Sequence, residues 1–402
     1  MANLVTGIDL GTSTIKMLVA RKNSENSEFE ILAKICRPSS GIRKGVVADP
    51  EEVSLTINSC LEEAENQINR KIEGAYTVIN GSHIFSNISR GLVSVSRADQ
   101  KVSSEDIERV IQAAKAFPLS KNKEILETIP QEFIIDGEKG IKNPLDMTGI
   151  RFEVEALIVG GFSPYIKNTN QSFLDSGLQV NDLVLPQVAN SKSVLNHREK
   201  ELGSAILDIG AGTASLAIFE EGSLIHACVF PIGSNDITND IAIGLQIDID
   251  TAEKIKLEFG SCWAGRNDQK KEKVKSLESG QEISFSRAFL RKIIEARVSE
   301  ILDLTEKELK QISKSRLLPA GIVITGGGSK IPHIVDLAKK NTKLPCRVGQ
   351  LNGFNPMIED NSFSVACGLV VQGSEMEEIN NPDGFGSKMA SRFKKIFKVF
   401  IP

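Results

Sequence analysis

Two short stretches, GIDLGTSTIK at residues 7–16 and LDIGAGTAS at residues 207–215, restrict the fold more than any other part of the chain. In each, an apolar run ends in Asp-x-Gly, turns through small and hydroxylated residues, and resumes as a second apolar run. Such runs read as buried strands joined by tight turns. Asp9 and Asp208 stand about 200 residues apart, and a pattern repeated at that distance is most simply an internal duplication of one α/β domain. At 402 residues the chain is too long for one compact core in any case.

The turns also carry chemistry. An Asp at the end of a strand can hold a divalent cation through water. Gly11, Thr12 and Ser13 offer N–H groups and hydroxyls to a phosphate, and Lys16 can neutralise it. Gly210, Gly212 and Thr213 offer the same parts from the second copy. A third glycine turn, ITGGGSK at residues 324–330, follows another buried strand. Its Gly326, Gly327 and Gly328, with Ser329, let backbone lie flat against a planar base and ribose. In TAEKIK (251–256), Glu253 and Lys256 are three apart and share a helix face.

Between the copies the pattern varies. Residues 50–72 have helical period with Pro at the start. Residues 86–161 read as an α+β insertion, its helix capped by Ser103 or Ser104, and a further helix is expected near residues 165–176. Residues 267–284 are polar and Lys-rich and read as an exposed loop. Residues 287–311 have a long helical pattern. QGSEMEEINNPDGFGS (372–387) reads as a flexible linker.

The three glycine turns in a duplicated frame, with AEKIK behind them, resemble the actin-like ATPase superfamily, in which two mirrored domains clamp Mg-ATP between phosphate hairpins. IPQEFIIDGEKGIKNP (129–144), GLQVNDLVLPQVANSKSVL (177–195) and PIGSNDITNDIAIGL (231–245) narrow the likeness to the FtsA family of bacterial division proteins. The resemblance implies a duplicated actin-like (ribonuclease-H-like) α/β fold around an ATP cleft, with an α+β subdomain inserted in the first half and an amphipathic helix at the C-terminus. It divides the chain into a first half (1–85 and 162–195, with part of 362–372 returning), the insertion (86–161), a second half (196–228 and 307–361), a smaller subdomain (229–306), a linker (373–387) and the terminal helix (388–402). It implies ATP and Mg²⁺ as ligands. Gly233 and the turn residues would bind nucleotide, Glu253 and Lys256 would meet ribose and adenine, and Asp9 and Asp208 would position the metal. No residue is assigned as a catalytic base. The family's second hairpin usually reads DIGGGTTD; here Ala211, Ala214 and Ser215 replace Gly, Thr and Asp, so ATP hydrolysis is expected to be weak or slow. Asp146 stands where glycine is common, and Thr128 where His is frequent.

Partners follow from the same resemblance: the FtsZ C-terminal tail, further copies of this chain in an actin-like protofilament, and other division proteins at the insertion. Arg297 and Glu300, three apart on a helix, match the family's FtsZ-tail motif, and Arg287 and Arg291 extend the basic side. The implied role is to polymerise on the cytoplasmic face of the inner membrane at the division site, to anchor the FtsZ ring there and to recruit later division proteins. A sugar- or acetate-type kinase of the same superfamily and a PilM-like scaffold are the alternatives.

The chain end explains the membrane expectation. On a helix, Met389, Phe393, Ile396, Phe397, Phe400 and Ile401 fall on one face, while Lys388, Arg392, Lys394, Lys395 and Lys398 cover the other. Segregated faces suit interfacial insertion, whereas nucleic-acid binding needs aromatics interleaved with phosphate contacts, so no nucleic-acid partner is expected. The last 15 residues carry five Lys/Arg and no acid, in a chain of formal net charge −4. No stretch approaches the ~20 apolar residues of a membrane span. The six scattered cysteines contain no CxxC pair and suggest a reduced, cytosolic setting. The four histidines show no ligand spacing; His83 and His226 read as structural.

Overall fold

Both Asp-x-Gly turns close antiparallel hairpins at the edge of a central cleft. The structure, a computed structural model, describes residues 4–23, 28–263, 270–312 and 317–380. In the first half, β1 (Leu4–Leu10), β2 (Thr14–Lys22) and β3 (Phe29–Pro38) form a meander. A short ribbon, β4 (Ile42–Arg43) with β5 (Val46–Val47), leads to α1 (Pro50–Ile68). Asp49 caps α1 by accepting from the N–H groups of Glu51 and Glu52. The helix stops four residues short of the expected Ile72, because Asn69 takes a left-handed conformation (φ 49°) and ends it. Then β6 (Gly74–Val78) joins β1 in parallel.

The insertion is a four-stranded sheet with one helix and its own core. Its elements are β7 (Phe85–Ser94), α2 (Ser104–Lys115), β8 (Lys123–Ile135), β9 (Glu138–Ile141) and β10 (Arg151–Phe162), in sheet order β7-β10-β8-β9. Ser103, not Ser104, is the cap of α2 and forms a capping box with Asp106. Phe133 and Phe152 stack at 5.6 Å in the small core beneath α2. Asp146 has φ +62°, a conformation that glycine adopts freely and Asp tolerates, which fits the expectation of glycine at this position.

The chain returns through α3 (Ser163–Asp175) and β11 (Gln179–Val184), then crosses on α4 (Pro186–Val194) and α5 (His197–Leu202). The second half repeats the plan: β12 (Ser204–Ile209), β13 (Ala214–Glu220) and β14 (Ser223–Phe230) form the meander. A subdomain follows, made of α6 (Ser234–Leu245), α7 (Ile249–Phe259), β15 (Lys271–Lys275), β16 (Glu282–Ser286) and α8 (Arg287–Gln311). Finally β17 (Gly321–Thr325), α9 (Ile334–Thr342) and β18 (Cys346–Val348) complete the sheet. The two sheets run β11-β6-β1-β2-β3 and β18-β17-β12-β13-β14, the same order twice, with β19 (Phe354–Asn355) added beside β3.

Three expectations need correction. The Lys-rich stretch expected as a loop contains the β15–β16 hairpin: Val274 and Phe285 are buried, and Lys273 bridges Glu282 across the pair. The boundaries expected at 228 and 306 fall inside β14 and α8. The linker expected from 373 is helical at its start, because α10 (Ser364–Asn380) continues through Ser374. Helix α10 crosses back and packs Val365, Ala366, Leu369 and Val370 into the first-half core. Lys192–Glu375 (2.7 Å) and Lys22–Glu378 (2.6 Å) hold its second part against the body. The terminal segment 388–402 lies outside the described residues.

Candidate nucleotide cleft

Each hairpin is shaped by a few local bonds. In the second, the Gly210 N–H donates to Thr213 O at 2.9 Å, and the first turn of α6 supports the loop from behind. There the N–H groups of Ser234 and Asn235 donate to the carbonyls of Gly210 and Ala211 at 2.9 and 2.8 Å. Gly233 is the N-cap of α6, where the Asp236 carboxylate accepts its N–H at 2.8 Å. In the first hairpin, Thr12 Oγ1 accepts the N–H of Gly45 at 2.9 Å. The two hairpins meet tip to tip: a Cβ at Gly212 would come within 2.7 Å of Thr12 Oγ1. Asn80 Nδ2 donates to Thr213 Oγ1 (3.4 Å), and Lys44 Nζ donates to Pro231 O (2.8 Å), both from the first half to the second.

Between the halves lies a cleft of about 650 Å³, lined by Asp9, Gly11, Thr12, Ser13, Lys16, Asp208, Gly210, Thr213, Glu253, Lys256, Gly326, Gly327 and Gly328. Of the remaining predicted residues, Gly212 and Gly233 build the hairpin behind this lining. Ser329 is buried and donates its hydroxyl to Gly326 O at 2.7 Å. Gly326 has a positive φ of 79° and precedes a single 3₁₀ turn, Gly327–Lys330. Glu253 and Lys256 pair with each other at 2.6 Å, and Lys256 also donates to Thr238 Oγ1 (2.8 Å) and Ser234 O (3.1 Å).

Charge is concentrated at the floor. Asp9 and Lys16 are cross-strand neighbours 3.7 Å apart and nearly enclosed. Burial raises the Asp9 carboxyl above its ordinary range against the pull of Lys16. Burial likewise pushes Asp208 up to about 6, with Asp9 adding to the rise and the Asn190 hydrogen bond opposing it. That bond, Asn190 Nδ2 to Asp208 Oδ2 at 2.8 Å, comes from α4 and was invisible in the sequence pattern. Asn190 Oδ1 and Thr325 Oγ1 are buried without a partner at this end of the molecule. Two carboxylates whose charge is disfavoured by burial, beside turns rich in N–H and hydroxyl donors, are a donor set that suits a hydrated divalent cation with an attached polyphosphate.

Relatives named "Cell division protein FtsA" include those of Pseudomonas aeruginosa (34% identical, over 93% of this chain and 90% of that one) and Borreliella burgdorferi (35%, over 98% and 96%). The chain belongs to the FtsA family. The family model "Cell division protein FtsA" matches residues 205–368, and "SHS2 domain inserted in FTSA" matches residues 81–160. Among solved structures, a PilM–PilN type IV pilus biogenesis complex (TM-score 0.68, 18% identity, 92% of this chain and 98% of that one) shares the fold. So does Spiroplasma citri MreB5 bound to ADP (TM-score 0.58, 15% identity, 95% and 99%). The fold is actin-like.

The family's second expected site lies on α8. Arg297 makes a two-pronged pair with Asp240 of α6 (2.7 and 2.9 Å) and contacts Glu300 at 2.8 Å. Arg291 pairs with Glu295 (2.6 Å), and Arg287 pairs with Glu272 (2.8 Å) and lies over the Phe259 ring. All three guanidiniums are therefore engaged within the subdomain. Phe289 and Ile293 lie over Gly244 of α6, and Phe289 and Ile243 are exposed large apolar side chains on the same two helices, α8 and α6, that carry the Arg297–Asp240 pair.

Proposed function

We propose that this FtsA-family chain binds Mg-ATP in the cleft, polymerises on the cytoplasmic membrane face, and anchors the FtsZ ring there through its C-terminal segment. The observation that carries the nucleotide part is the pair of hairpins facing each other over the buried Asp9, Lys16 and Asp208. Asp9 and Asp208 would hold the hydrated Mg²⁺, which supplies charge neutralisation to the phosphates when bound. Gly11, Thr12, Ser13, Gly210 and Thr213 would orient the phosphates, and Lys16 would meet them. Since Lys256 is held by three partners, its part is to keep Glu253 and α6 in place for the ribose side. A carboxylate absent at Ser215 fits slow turnover and a conformational use of the nucleotide.

The membrane part rests on the sequence of residues 388–402. Each basic residue near an anionic leaflet contributes about 1 kcal/mol, and each Phe roughly 1.5–3 kcal/mol when fully buried. Ordering about 14 residues costs ~1–2 kcal/mol each, so one tail binds weakly and reversibly. A row of linked tails binds far more firmly through effective concentration, so polymerisation and attachment reinforce one another. With anionic liposomes, ATP and Mg²⁺, the full chain is expected to co-sediment and a chain cut after Gly386 to stay in solution. If both stay in solution, the membrane reading fails and the cleft is untouched.

The FtsZ-tail part is supported by exposed apolar Ile243 and Phe289 on the two helices that carry the Arg297–Asp240 pair, chemistry suited to a peptide of acidic and apolar residues. Ile243 is 76% exposed, so Ile243→Ser leaves stability within about 0.5 kcal/mol. It is expected to weaken FtsZ-tail peptide binding about tenfold or more in fluorescence anisotropy, a loss of about 1.4 kcal/mol. Unchanged affinity would move the peptide site elsewhere.

A further inference from the structure

A cluster outside the cleft and outside the α6–α8 face joins three side chains from different parts of the sequence. His226 and Cys228 stand two apart on β14 and therefore point to one side of the sheet. Their cross-strand partners, Ile218 and Leu216, belong to the second-half core, and Cys228 packs against that core. Behind that face runs the C-terminal part of α8, where the Glu308 carboxylate accepts from His226 Nε2–H at 2.9 Å. One nitrogen, one sulfur and one carboxylate oxygen lie within 4.8 Å of one another.

We propose that His226, Cys228 and Glu308 form a binding site for a zinc-type divalent cation, independent of the nucleotide cleft. Around a tetrahedral ion with bonds of about 2.0–2.3 Å, ligand atoms stand roughly 3.3–3.8 Å apart. The His226–Glu308 contact, at 2.9 Å, opens by a few tenths of an ångström, and the sulfur, within 4.8 Å of both, draws in to complete the set. Water completes the fourth position, because both side chains keep some exposure (16% and 19%). The donor set selects the ion. Mg²⁺ and Ca²⁺ prefer all-oxygen shells, whereas imidazole with thiolate suits zinc and its neighbours. A thiolate and a carboxylate together neutralise a dication, so the half-buried site carries no net charge when filled.

Binding is a proton exchange without electron transfer. Cys228 binds as its thiolate. As the metal–sulfur bond forms, the S–H bond breaks and the proton passes to solvent. His226 gives up its hydrogen bond to Glu308: the Nε2 proton leaves to solvent, Nδ1 takes one up from solvent, and the Nε2 lone pair is free for the ion. Affinity should therefore rise with pH.

The position gives the site a mechanical consequence. Strand β14 is the edge of its sheet. Its outer carbonyls receive Ser86 Oγ (at Ala227 O, 2.8 Å) and Gln131 Nε2 (at Leu224 O, 2.9 Å), both from the inserted subdomain. An ion tying β14 to α8 would stiffen the ledge on which that subdomain rests.

The test uses the untagged full chain, stripped with chelator and titrated with Zn²⁺ against a chromophoric competitor, and with Co²⁺ as a spectroscopic probe. One Zn²⁺ per chain is expected, with a tetrahedral Co²⁺ spectrum that includes a thiolate-to-metal charge-transfer band. Mg²⁺ in large excess should not displace it. Cys228→Ser and His226→Asn should each weaken Zn²⁺ beyond the roughly 10–100-fold seen for changes around a metal's own ligands. Cys36→Ser, at the exposed cysteine, should leave binding unchanged. The charge-transfer band is read on the unaltered chain, so the proposal remains exposed even if a variant misfolds. Absence of that band overturns it, as does zinc binding that survives in a folded Cys228→Ser chain. In either case the cluster is a His–Glu hydrogen bond with a thiol nearby and nothing more.

Discussion

Asp208→Asn is expected to make the empty protein more stable at neutral pH while removing its Mg²⁺-dependent nucleotide affinity. The Asp208 carboxyl is raised from an ordinary 3.8 to about 6, chiefly by burial. A group whose folded value lies above its unfolded one holds its proton more tightly when folded. Folding stability therefore falls as pH rises between the two values, and the whole penalty stands above about 6. Asn carries no such penalty and can still accept from Asn190 Nδ2, the bond that now orients Asp208. In metal-free buffer at pH 7.5 the gain should be on the order of 1–3 kcal/mol, read as a higher denaturation midpoint. It should vanish at low pH, where Asp208 is neutral in both states. Isothermal titration with Mg-ATP at pH 7.5 should show at least about a tenfold loss, or about 1.4 kcal/mol. A variant that binds as well as the original, or one no more stable, would contradict the assignment of this carboxylate to the metal.

The second large effect is expected at a glycine outside the lining of the cleft. At Gly368, on α10, a Cβ would come within 1.8 Å of the Ala189 carbonyl oxygen of α4. That neighbour is backbone and cannot swing away, so the two helices must separate. The crossing is closed on either side by Ser193 Oγ to Ser364 O (2.8 Å) and by Lys192 to Glu375 (2.7 Å). Gly368→Val should cost about 3 kcal/mol or more, lowering the melting temperature by about 5 °C or more. Asn190 rides on the displaced α4, so nucleotide affinity should fall as well, although no ligand contact is altered. Gly368→Ala should show the same pattern at smaller size. A melting temperature within about a degree of the original would mean that the helix crossing has slack that the packing does not suggest.

The residues that announce themselves in the sequence are those whose chemistry is local. Asp-x-Gly turns, the serine cap of α2 and the long α8 period can be read from neighbours along the chain, and so the actin-like architecture could be. What stayed hidden depends on partners distant in sequence. Asn190 gains its meaning only when α4 lies beside Asp208. The β15–β16 hairpin was masked because its lysines and glutamates pair across strands, leaving only Val274 and Phe285 to mark a buried side. The spacing His-x-Cys at 226–228 was present in plain view, but the third member, Glu308, lies about 80 positions away. The arginines of α8 were readable as cations, whereas their engagement by Asp240, Glu272 and Glu295 was not.

One consequence of α10 concerns force. The helix begins with Ser364 and Val365 in the lining of the cleft and runs 17 residues to Asn380, a rod of roughly 25 Å at 1.5 Å per residue. On the proposed membrane attachment of the C-terminal segment, tension from a constricting or bending surface would travel along the helix axis into the wall of the cleft. The molecule would then act as a strain gauge, with occupancy of the proposed nucleotide site responding to load.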